Sequence, residues 1–317
     1  MKQKRAGGGF GGKLTRQSHV AGSAALAAWK VGRAVKFSLD RNTDMKLTGG
    51  RHFMDVNYDA KCSLDGKLQS LKTDLCLECG FSDDLSGFVL MSVNRSLTQT
   101  YKVDNCLSVT TGAHTNTPSK TAVRGPGEIQ AGCIIETIID HISAATGLSQ
   151  HEVRKVNMIK ATREETGLQA PCGDNMYEYT TWELWQQLEK QANFTERHAE
   201  VLRLNSIPQC EQGSIWPKKR GIAMTPLKYH HSVGMRTATV SVYSDGTVLI
   251  SGPGVEIGQG LFTKSLQAAS YALSQVAILL PSPYPKPDLN SIHVLRLVFL
   301  YRWSSSDMQT QTQRWCL

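Results

Sequence analysis

The sequence predicts an α+β fold of two linked mixed units, and three observations carry that prediction. Glycine-rich loops at Gly7–Gly12, Arg124–Glu128 and Gly252–Gly260 each open onto a stretch of helical composition or spacing. Between them lie alternating apolar segments joined at Asp65-Gly66 and Asp245-Gly246, dipeptides that close β-hairpins. A loop-like segment, TGLQAPCGD at 166–174, parts the two series. The 317 residues allow about two domains of roughly 100 to 200 residues each. They are placed here at 1–165 and 180–280, followed by an atypical tail at 281–317.

Each element has a local reason. After the first glycine loop, TRQSHVAGSAALAAWKVG is rich in alanine and poor in β-branched residues, which favours helix. AVKFSLD then alternates at Val35, Phe37 and Leu39 as a strand would, and after a polar turn residues 54–75 read as two strands around Asp65-Gly66. Past the second loop, Ile134, Ile135, Ile138, Ile139 and Ile142 recur at helical spacing. Ser149 with Glu152 three residues on forms a capping box that starts a short helix. Residues 180–205 continue as an amphipathic helix or helix pair. KKRGIAMTPLKYHH, TATVSVYSDG and TVLISG read as strands, and LFTKSLQAASYALS as a helix after the third loop. From about Leu279 the pattern changes to a proline-rich, then apolar, then polar stretch without periodicity.

Composition narrows the function. Hydrophobic residues at 40% and charged ones at 20% fit a soluble globular chain. The excess of Lys and Arg gives +8, but after MKQKR the basic residues are spread singly without the aromatic interleaving that base stacking needs. Nucleic-acid binding is therefore not expected. Eight scattered cysteines in a chain of this length point to a reducing compartment. Cys76 and Cys79 form a CxxC on a strand-like segment and read as packed thiols. No apolar run approaches a membrane span, and MKQKRAGGGF leads into glycines instead of a signal core, so a cytoplasmic protein is expected.

Taken alone, the glycine loops are weak signals. Gly7-x-Gly9-x-x-Gly12 matches the dinucleotide fingerprint, but MKQKRA supplies at most a stub of the strand that must precede it. Asp40 also lies about eight residues beyond the usual offset of roughly 20 for the ribose acid. The phosphate-loop pattern ends in Lys13-Leu14, without the Ser or Thr that would meet a magnesium ion. What the loops share is backbone N–H groups at helix N-termini, which together could surround one polyanionic cofactor.

Five blocks give the loops an identity. RAGGGFGGKLTRQ, LDRNTDMKLTGGRH, TPSKTAVRGPGEIQ, EVRKVN and GVEIGQGLFTK, in that order over about residues 5 to 275, resemble the molybdopterin-binding region of the aldehyde oxidase and xanthine dehydrogenase family. The resemblance implies two elongated α+β subdomains holding a molybdenum pyranopterin between their loops, here incomplete at both ends. Phe10 and Gly11 match the family's Phe-Gly beside the molybdenum, Arg124 matches the Arg of its substrate-side loop, and Gly258-Gln259-Gly260 matches the loop wrapping the pterin. In that reading no side chain of this chain binds the metal.

The resemblance also speaks to substrate. Xanthine-specific members place a Glu directly after GGGFGGK and an Arg a few residues before a DN pair, where this chain has Leu14 and Thr98. Pro126 replaces a Phe that would stack on a purine. A purine in such a pocket would leave ring nitrogens unpaired at a cost of roughly 1–3 kcal/mol each. The expected substrate is therefore a small-molecule aldehyde or heterocycle, hydroxylated with water-derived oxygen. The family's Glu general base, its 2Fe-2S clusters and its FAD are not matched by any segment of this sequence. The expectation is a homodimeric family's fragment without sustained oxidase activity and with weak cofactor retention, against a catalytically inactive remnant that serves as a binding or scaffolding protein.

Overall fold

The computed structural model describes residues 7–161, 168–169, 175–176, 179–208, 219–229, 237–245, 247–252 and 254–279. Contacts gather the chain into two units, one made of the residues up to Ser38 together with those from His231 onward, the other the continuous stretch Leu39–His230. The first glycine loop thus joins the last part of the chain instead of the segment that follows it. The tail after residue 279 lies outside the described residues.

Helix α1 (Gln17–Val31) follows the first glycine loop, as its alanine content predicts. Residues 34–38, expected as part of a strand, form none; Val35 and Phe37 are exposed and their alternation meets no sheet partner among the described residues. The polar stretch after it, expected as a turn, is helix α2 (Arg41–Leu47). Asp40 caps it by accepting from Thr43 N–H at 3.0 Å, which gives that carboxylate a local structural role.

Strands β1 (Met54–Cys62) and β2 (Leu68–Gly80) form the expected antiparallel hairpin. Helix α3 (Ser86–Ser96) then crosses over to β3 (Asn105–His114), which pairs parallel with β2, so β2 is the central strand. Cys76 and Cys79 both sit on β2, where residues three apart face opposite sides, and both are free thiols.

Helix α4 (Glu128–Thr146) buries all five of its periodic isoleucines against Leu68, Leu71, Leu75 and Leu77 of β2 and Val89, Val93 and Leu97 of α3 and its end. Each such burial contributes about 1.5–3 kcal/mol. Helix α5 (Gln150–Asn157) carries the predicted capping box of Ser149 and Glu152. Its Arg154 is buried and meets Glu136 of α4 at 2.7 Å. Asn157 Nδ2 donates to Gly66 O at 2.8 Å and its Oδ1 accepts from Leu68 N–H at 2.7 Å. The EVRKVN block is thus a scaffold that ties α4 and α5 to the hairpin turn.

Strands β4 (Leu168–Gln169) and β5 (Asn175–Met176) form a short antiparallel pair on either side of 170–174, which lie outside the described residues. Helices α6 (Thr181–Gln191) and α7 (Phe194–Ser206) resolve the helix-or-pair question as a pair. The His151 ring of α5 stacks on Trp185 and Phe194, joining both helices to the core. The segment 219–229, read as a strand, has no ladder among the described residues. The N–H groups of Arg220 and Lys228 go instead to the side chains of Asn205 and Gln99, while Ile222 and Met224 pack into the core.

In the other unit, β6 (Thr239–Val242) and β7 (Val248–Ser251) pair antiparallel as predicted, with Thr247 N–H donating to Asp245 at 2.9 Å. Helix α8 (Leu261–Leu279) follows the third glycine loop. Among the described residues, no helix is long and apolar enough to cross a membrane.

Candidate cofactor-binding loops

Within the first unit the structure brings two of the predicted loops together. A Cβ at Gly8 would lie 2.7 Å from the carbonyl oxygen of Ile257, so the Gly7–Gly12 loop packs backbone to backbone against the 254–260 loop. Gly12 and Leu14 N–H groups donate to the carbonyls of Gly9 and Gly11 at 3.0 and 2.9 Å, forming a tight turn before α1. Phe10 stands at its crest, 73% exposed and with a positive φ. Leu14 is half-buried, and its carbonyl accepts from Gln17 at 2.6 Å.

The 254–260 loop is braced by two of its own side chains. The Glu256 carboxylate accepts from the N–H groups of Gly258, Gly260 and Phe262 at 2.8, 3.0 and 3.1 Å. The Phe262 amide, then those of Gly260 and Gly258, hold this carboxyl below the usual glutamate range. The Gln259 side chain accepts from Ile257 N–H at 2.7 Å and donates to Val255 O at 2.8 Å. One of its two amide hydrogens is therefore committed to the loop, and the second is what it can offer a ligand. Glu256 was not singled out by sequence, although a carboxylate just ahead of a helix N-terminus is a recognisable signal.

The second unit holds the Arg124–Glu128 loop at the start of α4. Arg51 grips it from the far side of the sequence: its Nη2 donates to Arg124 O at 2.7 Å, and its Nη1 lies 3.5 Å from Val123 O, 3.3 Å from Gly125 O and 3.5 Å from Gln130 Oε1. Gln130 Oε1 also accepts from Gly127 N–H at 3.0 Å, while its buried Nε2 has no hydrogen-bond partner among the described residues. Arg124 is exposed and Pro126 half-buried.

Thr98 is fully buried in the turn after α3, and two neighbours make the contacts to the loop. Ser92 abuts Gly127, where a Cβ would come within 2.4 Å of the Ser92 Cβ. Gln99 donates to Glu128 O at 3.3 Å and accepts from Lys228 N–H at 2.8 Å. These partners are 29 and 129 positions from Gln99, beyond the reach of any local pattern.

Matches to the molybdopterin cofactor-binding domain cover residues 1–158 and 187–294 in two consecutive parts. The chain belongs to the aldehyde oxidase and xanthine dehydrogenase family, in its molybdopterin-binding region. It is 35% identical over 273 residues to an indole-3-acetaldehyde oxidase of Zea mays, covering 86% of this chain and 20% of that protein. An abscisic-aldehyde oxidase of Arabidopsis thaliana is 35% identical over 279 residues, with the same coverage of 86% and 20%. The chain thus spans about a fifth of the length of these relatives. Among solved structures, the aldehyde oxidoreductase of Desulfovibrio desulfuricans superposes with a TM-score of 0.69 at 20% identity, over 93% of this chain and 30% of that one. The quinoline 2-oxidoreductase of Pseudomonas putida does so with 0.58 at 21%, over 86% and 34%. These likenesses show the family's fold.

The residues present fit a pterin cofactor with anionic substituents. In the first unit the glycine-rich edges of the 7–12 and 254–260 loops lie against each other where a Cβ would collide; in the second, the buried Gln130 Nε2 has no hydrogen-bond partner among the described residues.

Proposed function

We propose that this chain is the molybdenum-cofactor-binding part of a hydroxylase that oxidises aldehydes to carboxylic acids. The observation that carries the reading is the ungapped GGGFGGKL, whose glycine turn packs on the GVEIGQG loop and sets apolar Leu14 where xanthine-specific members carry a Glu. The names of the plant relatives, indole-3-acetaldehyde oxidase and abscisic-aldehyde oxidase, support an aldehyde substrate.

Phe10, Gly11, Gly258, Gln259, Gly260 and Arg124 bind the cofactor in this reading, and Leu14, Thr98 and Pro126 shape the substrate pocket. Gly11 of the first unit would contribute its backbone and Gln259 its remaining amide hydrogen to holding the cofactor, and Arg124 of the second unit would contribute its backbone. Bound molybdenum supplies the Lewis acidity and the two-electron redox capacity for the hydroxylation. The family's 2Fe-2S and FAD groups would supply the outlet for the electrons, and the proposal places the chain in a cytoplasmic, homodimeric enzyme.

Titrating the 317-residue chain with molybdopterin released from a donor enzyme tests the binding half by pterin fluorescence. Saturable binding that is lost on gel filtration is expected. Absence of any saturable quenching would sink the reading.

A further inference from the structure

We infer that Arg51 is the positioning residue that shapes the Arg124 loop, an inference that rests on the cofactor-binding reading above for its functional consequence. The carbonyls of three consecutive residues, Val123, Arg124 and Gly125, turn toward this one guanidinium. Three carbonyl dipoles brought together repel one another, so the arrangement needs a cation at their focus. A guanidinium suits it because its donors lie in a rigid planar fork that can reach several acceptors at once, whereas an ammonium is a point charge.

Peptide geometry then fixes what the other side of the loop presents. None of the peptide bonds among the described residues is cis, and in a planar trans peptide the N–H of each residue points opposite to the carbonyl before it. With the carbonyls of Val123 and Arg124 drawn to Arg51, the N–H groups of Arg124 and Gly125 point away from it. Pro126 has no N–H to add, and Gly127 N–H is turned onto Gln130 Oε1 at 3.0 Å. Arg51 therefore fixes which way the N–H groups of Arg124 and Gly125 point, on the face of the loop turned from its guanidinium. It touches neither ligand in this account, so its action is through the loop.

The test uses Arg51→Gln and Arg51→Lys in the 317-residue chain, with amide hydrogen exchange read by mass spectrometry in the absence of cofactor. In Arg51→Gln, exchange across 122–130 should rise by about tenfold or more, while 134–142 of α4 and 68–77 of β2 keep their protection. Arg51→Lys should restore only part of it. Unchanged exchange in 122–130 would overturn the inference. So would loss of protection spread over the whole unit, which would make Arg51 a general core residue, and so would full restoration by lysine, since a point charge would then suffice. Molybdopterin titration of the same variants supplies the functional readout, with weakened binding expected. A wild-type chain that takes up no molybdopterin counts against the cofactor reading alone, because the exchange experiment needs none.

Discussion

The loops at 123–127 and 254–260, both proposed above to contact the cofactor, are held in opposite ways. The first depends on distant residues: Arg51 is 72 to 79 positions away, and Ser92 and Gln99 reach it from α3 and the turn beyond. The second is stapled from within six residues by Glu256 and Gln259. A loop seated on a core inherits that core's stability and its sensitivity to steric change. The second loop also touches the Gly7–Gly12 turn at Ile257, but its hydrogen bonds are its own, so its shape depends chiefly on the charge state of Glu256.

The largest expected effect breaks the first seat. At Gly127, φ is 85°, and a Cβ would lie 2.4 Å from the Ser92 Cβ and 2.7 Å from Val93 N, backbone of α3 that cannot swing aside. Gly127→Ala should combine backbone strain of about 1–3 kcal/mol with overpacking of about 1–3 kcal/mol, for a loss of about 3 kcal/mol or more. Urea unfolding followed by tryptophan fluorescence measures it, since Trp185 reports on this core. A loss under about 1 kcal/mol would mean that α3 yields and the loop is not seated as described.

Acid should separate the two loops next. His52, beside Arg51 in sequence, is buried with Nε2 on Ser86 Oγ at 2.8 Å; burial first, then the charge of Lys120, lowers its pKa below 6.5, with Arg51 adding and Asp84 and Glu78 opposing. The unfolded chain takes up that proton at the ordinary value and the folded chain only at lower pH. The stabilisation is therefore whole above 6.5 and is lost as pH falls through the depressed folded value. For Glu256 the same sign holds from 4.5 downward, because its carboxyl is also depressed. Between those two values, exchange corrected for intrinsic rate should rise in 49–53 and 122–130 and stay constant in 254–262. His52→Gln should flatten the first response. If both loops loosen together, the contrast in bracing is wrong.

The contrast also explains what could be read from sequence. The isoleucine spacing of α4, the capping box of α5 and both hairpin turns are local patterns, and each formed as expected. The helix α3 and strand β3 carry no comparable mark, and residues 34–38 and 219–229 alternate like strands without gaining a ladder. Alternation records which side chains face inward and leaves open where the backbone N–H groups go. At 219–229 two of them, those of Arg220 and Lys228, go to the side chains of Asn205 and Gln99. The site divides the same way. Its glycine motifs could be matched residue by residue, whereas Arg51, Ser92 and Gln99 act across the fold.

The smallest effect should come at Gly258, and it sharpens the comparison. Its φ of 102° is a conformation that side chains rarely adopt, yet a Cβ there would meet no atom of the described residues within 4 Å. Gly258→Ala therefore carries strain without collision, about 1 kcal/mol if the exposed loop relaxes. Alanine keeps the N–H that Glu256 accepts at 2.8 Å, so the internal staple has no reason to open. In the urea assay the variant should stay within about 1 kcal/mol of the parent, and exchange in 122–130 should not change. A loss as large as that of Gly127→Ala would show that the 254–260 loop takes its stability from its contact with the Gly7–Gly12 turn, and its self-bracing by Glu256 and Gln259 would then be incidental.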